Sequence, residues 1–173
     1  ACEMDEIKAL TNSHGIYLIE DNAQGLMSTY KKRHLGSIGN IGCLSFHETK
    51  NYQCGEGGAI LINDKSLVER AEIIREKGTN RSKFLNGMVD KYSWVDIGSS
   101  YLPSELNAAF LYTQLENAYN VNKKRLSLWN EYSKNLSNLK EVSLQIIDNE
   151  LNHNGHLFYI KLKNKKQRQK MIN

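Results

Sequence analysis

At 173 residues, 40% of them hydrophobic, the chain is long enough to bury a core, and its length predicts one domain or one domain plus part of another. No apolar run approaches the roughly 18 residues that cross a bilayer, so nothing in these residues reads as a helical membrane span, and "ACEMDEIKAL" has neither a basic leader nor an apolar signal core. Three cysteines, Cys2, Cys43 and Cys54, form no CxxC pair; they read as free thiols of a reducing, cytoplasmic setting rather than as a disulfide framework or a zinc site. The net charge of +4 is crowded toward the end of the chain, at Lys161, Lys163, Lys165, Lys166, Arg168 and Lys170. No aromatic side chains interleave with these cations to stack on bases, so the segment reads as a solvated helix face and not as a nucleic-acid arm.

In chain order, residues 2 to 13 predict a helix with Met4, Ile7 and Leu10 on one face, ending near Gly15. "GIYLIED" follows as a strand, apolar almost throughout, the pattern of a parallel strand covered on both faces, and it runs into the small, polar loop "NAQG". "GCLSF" at 42 to 46 and "GAILIN" at 58 to 63 predict two more strands. A helix from about Lys65 to Lys77 comes next, with Leu67, Ala71 and Ile74 on one stripe and Asn63 or Asp64 as its cap. From Gly78 to Gly98 the chain is polar and has no sustained period, which predicts a long loop, either functional or disordered. Pro103 is placed to open a helix in its first turn, with Leu106, Ala109, Phe110 and Thr113 on one side. Leu128, Tyr132, Leu136 and Leu139 carry a second helical stretch or a continuation of the first, and "HLFYIKLKN" one further strand. The fold class is α/β. With three or four strands for a sheet of this type, the chain is expected to be a piece of a longer protein.

Asp21 stands where the first strand ends, the edge at which open α/β sheets bind ligands, where a carboxylate either meets a cation or merely turns the loop. Asn22 and Gln24 share that loop. Lys50 follows the second strand, with the Ser45 hydroxyl five residues before it and Gly55, Gly57 and Gly58 just after. Most lysines are exposed cations; one in a crevice becomes a nucleophile when its neutral amine is favoured, and glycines let backbone approach a bound group. A carboxylate, a lysine and a hydroxyl suited to a phosphate together describe a pyridoxal 5'-phosphate site.

These residues fall in a longer pattern. An ED-x-A-Q strand end, a G-x-x-G-x-I-G-C segment, S-F-H-x-T-K-N and GEGGA follow one another, and "AEIIREKGTNRSKF", "VDKYSWVDIGSSYLPSELNAA" and "GHLFYIKL" extend it over nearly the whole chain. The pattern resembles the sugar aminotransferases of the DegT/DnrJ/EryC1/StrS family, fold-type I enzymes that use pyridoxal 5'-phosphate. The resemblance implies that Lys50 carries the cofactor and moves the proton in catalysis, that Asp21 pairs with the ring nitrogen, that Gln24 sits by the ring and its phenolic oxygen, and that Ser45 binds the phosphate. Many members carry G-x-N-x-R where this chain reads "GSSYL", so Ser100 falls at the position of an asparagine that reaches the phosphate of the neighbouring subunit's cofactor.

By the same resemblance the partners are a nucleotide sugar, dTDP-4-keto-6-deoxyglucose with glutamate as amino donor, and a second copy of the chain in a homodimer. The setting is synthesis of a cell-surface polysaccharide precursor. Residues 1–115 correspond to part of the large cofactor domain, and 116–173 to linking helices and the start of the small C-terminal domain. Two other readings remain: an inactive fragment or interaction module, and a cofactor-dependent sugar dehydratase. Dehydratase relatives replace the lysine with histidine, and Lys50 argues against that one. The chain taken alone is expected to expose apolar surface that further strands and helices would cover.

Overall fold

The computed structural model describes residues 1–172; Asn173, the last position of the second expected segment, lies outside the described residues. The chain begins with helix α1 (Met4–Ser13), then strands β1 (Ile19–Asp21), β2 (Thr29–Tyr30), β3 (Arg33–His34), β4 (Ile41–Ser45) and β5 (Gly58–Ile62). A 3₁₀ turn (Lys65–Leu67) leads into helices α2 (Val68–Arg75), α3 (Arg81–Leu85), α4 (Glu105–Glu116) and α5 (Ala118–Leu136). Strands β6 (Val142–Leu144), β7 (Leu151–Asn152) and β8 (Ile160–Leu162) and helix α6 (Lys165–Ile172) complete it. The basic tail is a helix directly after a strand, as its composition suggested, and no helix among the described residues is long and apolar enough to cross a membrane.

The sheet that organises the chain has the order β1-β4-β5. β1 and β4 run parallel with Asp21 beside Cys43, and β5 returns antiparallel with Gly58 beside Ser45. The carboxyl ends of β1 and β4 therefore open on the same edge, which places the loops after Asp21 and after Ser45 next to each other. A second sheet, β3-β2-β7, pairs residues 29–30 with Leu151 and Asn152 and so draws a late segment back onto an early one.

The first strand departs from its expected environment. Only the end of "GIYLIED" pairs, and Ile16, Tyr17 and Ile19 are largely exposed, while Glu20 is buried. The physical reason is the period of two: with Ile19 and Asp21 on one face, Glu20 must take the other. There its carboxylate accepts N–H bonds from Gly36 (2.7 Å), Ile38 (2.6 Å) and Gly39 (2.6 Å), so a buried charge is held by backbone donors that the loop could not otherwise satisfy. Tight packing follows. A Cβ on Gly42 would lie 2.1 Å from the Gly36 carbonyl oxygen, so only glycine lets β4 pass this loop.

Two helix expectations are also corrected. Pro103 lies before the start of α4, and Ser104 is the cap, its Oγ accepting from the Asn107 N–H at 3.2 Å. The stripe Leu106, Ala109, Phe110 and Thr113 faces outward; Leu106 is 83% and nearby Ile97 85% exposed. The inward contact of α4 comes instead from Leu111, which packs with Ala118 and Val121 on the buried cluster of Phe46, Tyr52 and Cys54. The 78–98 region is more built than its composition predicts. α3 lies within it, Thr79 is 1% exposed, and isolated bridges join Glu76 to Ser100 and Thr79 to Trp94. Gly78 makes this possible: its φ is +75°, and a Cβ there would lie 1.9 Å from the Asp96 carbonyl oxygen. Asp64 caps the 3₁₀ turn before α2, accepting from the Ser66 N–H at 3.0 Å, whereas α2 itself starts only at Val68, after Leu67 and without a side-chain cap, and ends at Arg75. The last strand is confined to Ile160–Leu162.

Candidate active site

Gln24, Ser45 and Lys50, widely separated in type and nearly so in sequence, line one cleft together with Ala23, Leu26, Asn51, Tyr52, Asn154 and His156. Gln24 is brought there by the turn after β1, in which Asn22 donates from its N–H to Cys43 O (2.9 Å) and from Nδ2 to Leu35 O (2.7 Å). Ser45 is the last residue of β4. Lys50 sits on a short loop fastened at several points: Lys50 N–H donates to His47 O (2.9 Å), Thr49 N–H to His47 Nδ1 (3.2 Å), and His47 N–H to Ser45 Oγ (3.3 Å). Since His47 Nδ1 accepts from a backbone donor, its neutral ring carries the proton on Nε2, 3.6 Å from the Glu56 carboxylate.

Beyond Lys50 the loop is anchored by Tyr52, 1% exposed, whose hydroxyl donates to Ala118 O at 3.1 Å. Burial pushes the Tyr52 phenol up, so it stays the neutral donor this bond needs. The three glycines after Lys50 do not line the cleft. They close the hairpin instead: Phe46 N–H donates to Gly57 O (2.7 Å) and Glu48 N–H to Gly55 O (2.9 Å), and a Cβ on Gly57 would lie 2.6 Å from Cys54 Sγ.

Asp21 and Ser100 are placed differently. Asp21 is exposed at the end of β1, beside the cleft but outside its lining, with Oδ1 accepting from the Ala23 N–H at 3.2 Å. Ser100 is exposed and bridged to Glu76, away from the cleft. The residues that sequence reasoning missed are Asn51, Asn154 and His156. Asn51 directly follows Lys50 and could have been found from that adjacency; the other two lie more than 100 positions along the chain, and no local pattern marks them.

The donor set fits a phosphorylated aldehyde. Among the described residues the Lys50 amine, the Gln24 side-chain amide and the Asp21 Oδ2 have no protein partner, and Ser45 Oγ only accepts, leaving its proton to give. An amine for the aldehyde, a hydroxyl for the phosphate and an amide for a phenolic oxygen share a single cleft.

Comparison with known proteins agrees with this chemistry. The DegT/DnrJ/EryC1/StrS aminotransferase family matches over residues 1–173. The chain belongs to that family. Family members depend on pyridoxal 5'-phosphate, and the α/β fold is that of fold-type I aminotransferases. Among relatives, the dTDP-3-amino-3,4,6-trideoxy-alpha-D-glucose transaminase of Streptomyces venezuelae is 29% identical over 92% of this chain and 40% of its own length. The spore coat polysaccharide biosynthesis protein SpsC of Bacillus subtilis is 28% identical over 96% of this chain and 43% of its own. DesV of S. venezuelae, solved with a ketimine intermediate, superposes with a TM-score of 0.85 at 28% identity, covering 99% of this chain and 44% of DesV. The chain thus spans between 40% and 44% of the length of these relatives.

His156 and His153 give the site region a pH signature. Burial holds His153 below the ordinary histidine value of 6.5; burial first, then the positive charges of Arg125 and Lys50, do the same for His156. Both are neutral in the fold and take up protons more readily once unfolded, so the unfolded state binds more protons below about 6.5. Stability is expected to be flat above that value and to fall as the pH drops through it. Melting curves between pH 5 and 8 measure this, and the double variant His153→Gln/His156→Gln should flatten the acid limb; an unchanged limb would reassign it to the carboxylates.

Proposed function

We propose that this chain is a piece of a sugar-nucleotide aminotransferase, carrying part of its large cofactor domain, that moves an amino group from glutamate to the C4 ketone of dTDP-4-keto-6-deoxyglucose. The observation that carries the reading is the meeting of Gln24, Ser45 and Lys50 in one cleft, where among the described residues the Lys50 amine and the Gln24 amide have no protein partner and Ser45 Oγ, accepting from the His47 N–H, keeps its proton to give. Bound there, pyridoxal 5'-phosphate supplies an electron sink for the carbon that gains or loses the amino group. Ser45 would donate to the phosphate, Gln24 to the phenolic oxygen, and Asp21 would keep the ring nitrogen protonated. Lys50 would hold the group at its aldehyde, and its neutral Nζ would be the base and acid that takes the proton from the donor's carbon and delivers one to C4 of the sugar.

On this reading residues 1–115 belong to the large domain and 116–173 begin the small one, within a longer polypeptide. Ser100 serves the neighbouring site of a homodimer, which accounts for its position away from the cleft of its own chain. The exposed faces at Ile97 and Leu106 are then surfaces covered in the full assembly. The test is to incubate the full-length protein with dTDP-4-keto-6-deoxyglucose and glutamate and weigh the product: an amino sugar supports the reading, and a deoxygenated keto sugar makes the protein a dehydratase.

Asp21→Asn separates a ring-nitrogen partner from a turn residue. Asparagine keeps an Oδ1 to accept the Ala23 N–H, so the melting temperature is expected to stay put. Turnover should fall about 100-fold, because an amide does not hold the ring nitrogen protonated. Near-normal turnover would make Asp21 a turn residue only.

A further inference from the structure

Asn154 is 4% exposed, and every polar atom of its side chain is used. Its Nδ2 donates to Gln24 O (2.7 Å) and to Leu26 O (2.9 Å), while its Oδ1 accepts from the His156 N–H at 3.1 Å. Its backbone oxygen accepts from Asn51 Nδ2 at 3.3 Å. One residue therefore grips both walls of the cleft, the turn that carries Gln24 and the residue that follows Lys50. Apart from Asn154, the walls meet among the described residues through one side-chain bond, from the Tyr52 hydroxyl to Met27 Sδ at 2.9 Å.

The bonds also set orientations in sequence. Because the Asn154 carbonyl can only accept, the Asn51 amide must turn its Nδ2 toward it, which leaves Asn51 Oδ1 for His156 Nδ1 at 2.8 Å. That oxygen can only accept, so the His156 proton sits on Nδ1 and the imidazole lines the cleft with an unprotonated Nε2. The segment around Asn154 is itself fixed at both ends. On one side Asn152 lies beside Thr29 in the β2–β7 ladder and Lys31 N–H donates to Glu150 O (2.8 Å); on the other, Arg125 Nη2 donates to His156 O (2.9 Å).

We propose that Asn154 is the positioning residue of this site: it sets the spacing between the Gln24 turn and the Lys50 loop and, through Asn51, the tautomer of His156. This rests on the cofactor reading given above, and it concerns residues that act on the bound group only through others. Tyr52 does not perform the same service: its hydroxyl reaches Ala118 O (3.1 Å) and the weak acceptor Met27 Sδ (2.9 Å), and neither bond holds Gln24 or Asn51.

The decisive variant is Asn154→Asp. It keeps the shape but turns a carboxylate oxygen onto two carbonyl oxygens, where the amide had two N–H bonds. Asn154→Ser keeps one donor, and Asn152→Ala removes only the exposed Asn152–Thr29 bond (3.1 Å) as a control in the same segment. In the full-length protein, pyridoxal 5'-phosphate affinity is expected to fall at least about tenfold in Asn154→Asp, less in Asn154→Ser, and not in Asn152→Ala. The absorbance band of the bound cofactor should shift in the first two, a change that a loss of global stability alone does not produce. In the cofactor-free protein, amide hydrogen exchange at Gly25 and Ser28 should quicken in Asn154→Asp. Wild-type affinity, band and exchange in Asn154→Asp would overturn the proposal. If the wild-type protein itself leaves no borohydride-stable adduct on Lys50, the cofactor reading fails, and the exchange measurement alone then decides whether Asn154 joins the two walls.

Discussion

Lys50→Ala is expected to abolish turnover, by at least about 10⁴-fold, while pyridoxamine phosphate still binds. The argument is one of atoms. Nothing else among the cleft's side chains is a primary amine, and the lysine loop is held by bonds that do not involve Nζ: the Lys50 N–H on His47 O and the Tyr52 hydroxyl on Ala118 O. Removing the side chain therefore deletes the amine without releasing the loop. Borohydride reduction followed by peptide mapping is the check: wild-type protein should carry the label on Lys50 and the variant none. A label on another lysine would remove Lys50 from its role.

Glu20→Gln is expected to have the largest effect on stability, about 2 to 3 kcal/mol, although Glu20 touches no part of the cleft. Its two oxygens receive the N–H groups of Gly36, Ile38 and Gly39. A glutamine presents one oxygen and one NH₂, so at least one buried backbone donor faces another donor. Urea unfolding should show a lower midpoint with an unchanged slope, since the exposed surface on unfolding is the same. A midpoint equal to wild type would mean that the loop rearranges to find other acceptors.

Glu20 and Asp21 illustrate what a sequence discloses. Both are carboxylates at the end of an apolar run, and attention goes to Asp21 because it is the last. Which of two neighbours turns inward depends on the register of β1 against β4, a fact about pairing that the local string does not contain. Ser45 and Lys50 stood out from their own residues and Gln24 through the family resemblance; they meet because β1 and β4 run parallel and end on one edge. Asn154 and His156 did not stand out, since they arrive from a segment whose position is set by the β2–β7 ladder. The outward stripe of α4 was misread for a related reason: periodicity reports that a helix has an apolar side, and not whether its own chain covers it. Within 78–98, composition pointed to a loop, whereas the bridge from Thr79 to Trp94 depends on the room that Gly78 leaves for the Asp96 carbonyl.

The long reach of Asn154 also bears on how the protein is made. Its partners Gln24 and Asn51 precede it by 130 and 103 positions, so the walls of the cleft are synthesised long before the residue that joins them leaves the ribosome. Closing loops of that length is slow relative to forming α1 or the β4–β5 hairpin, and the nascent chain must wait with an unfinished site. Cofactor added during translation should therefore protect the Lys50 loop from proteolysis only after residues beyond His156 have emerged. Ribosome-stalled chains ending on either side of that point would show the onset as a step.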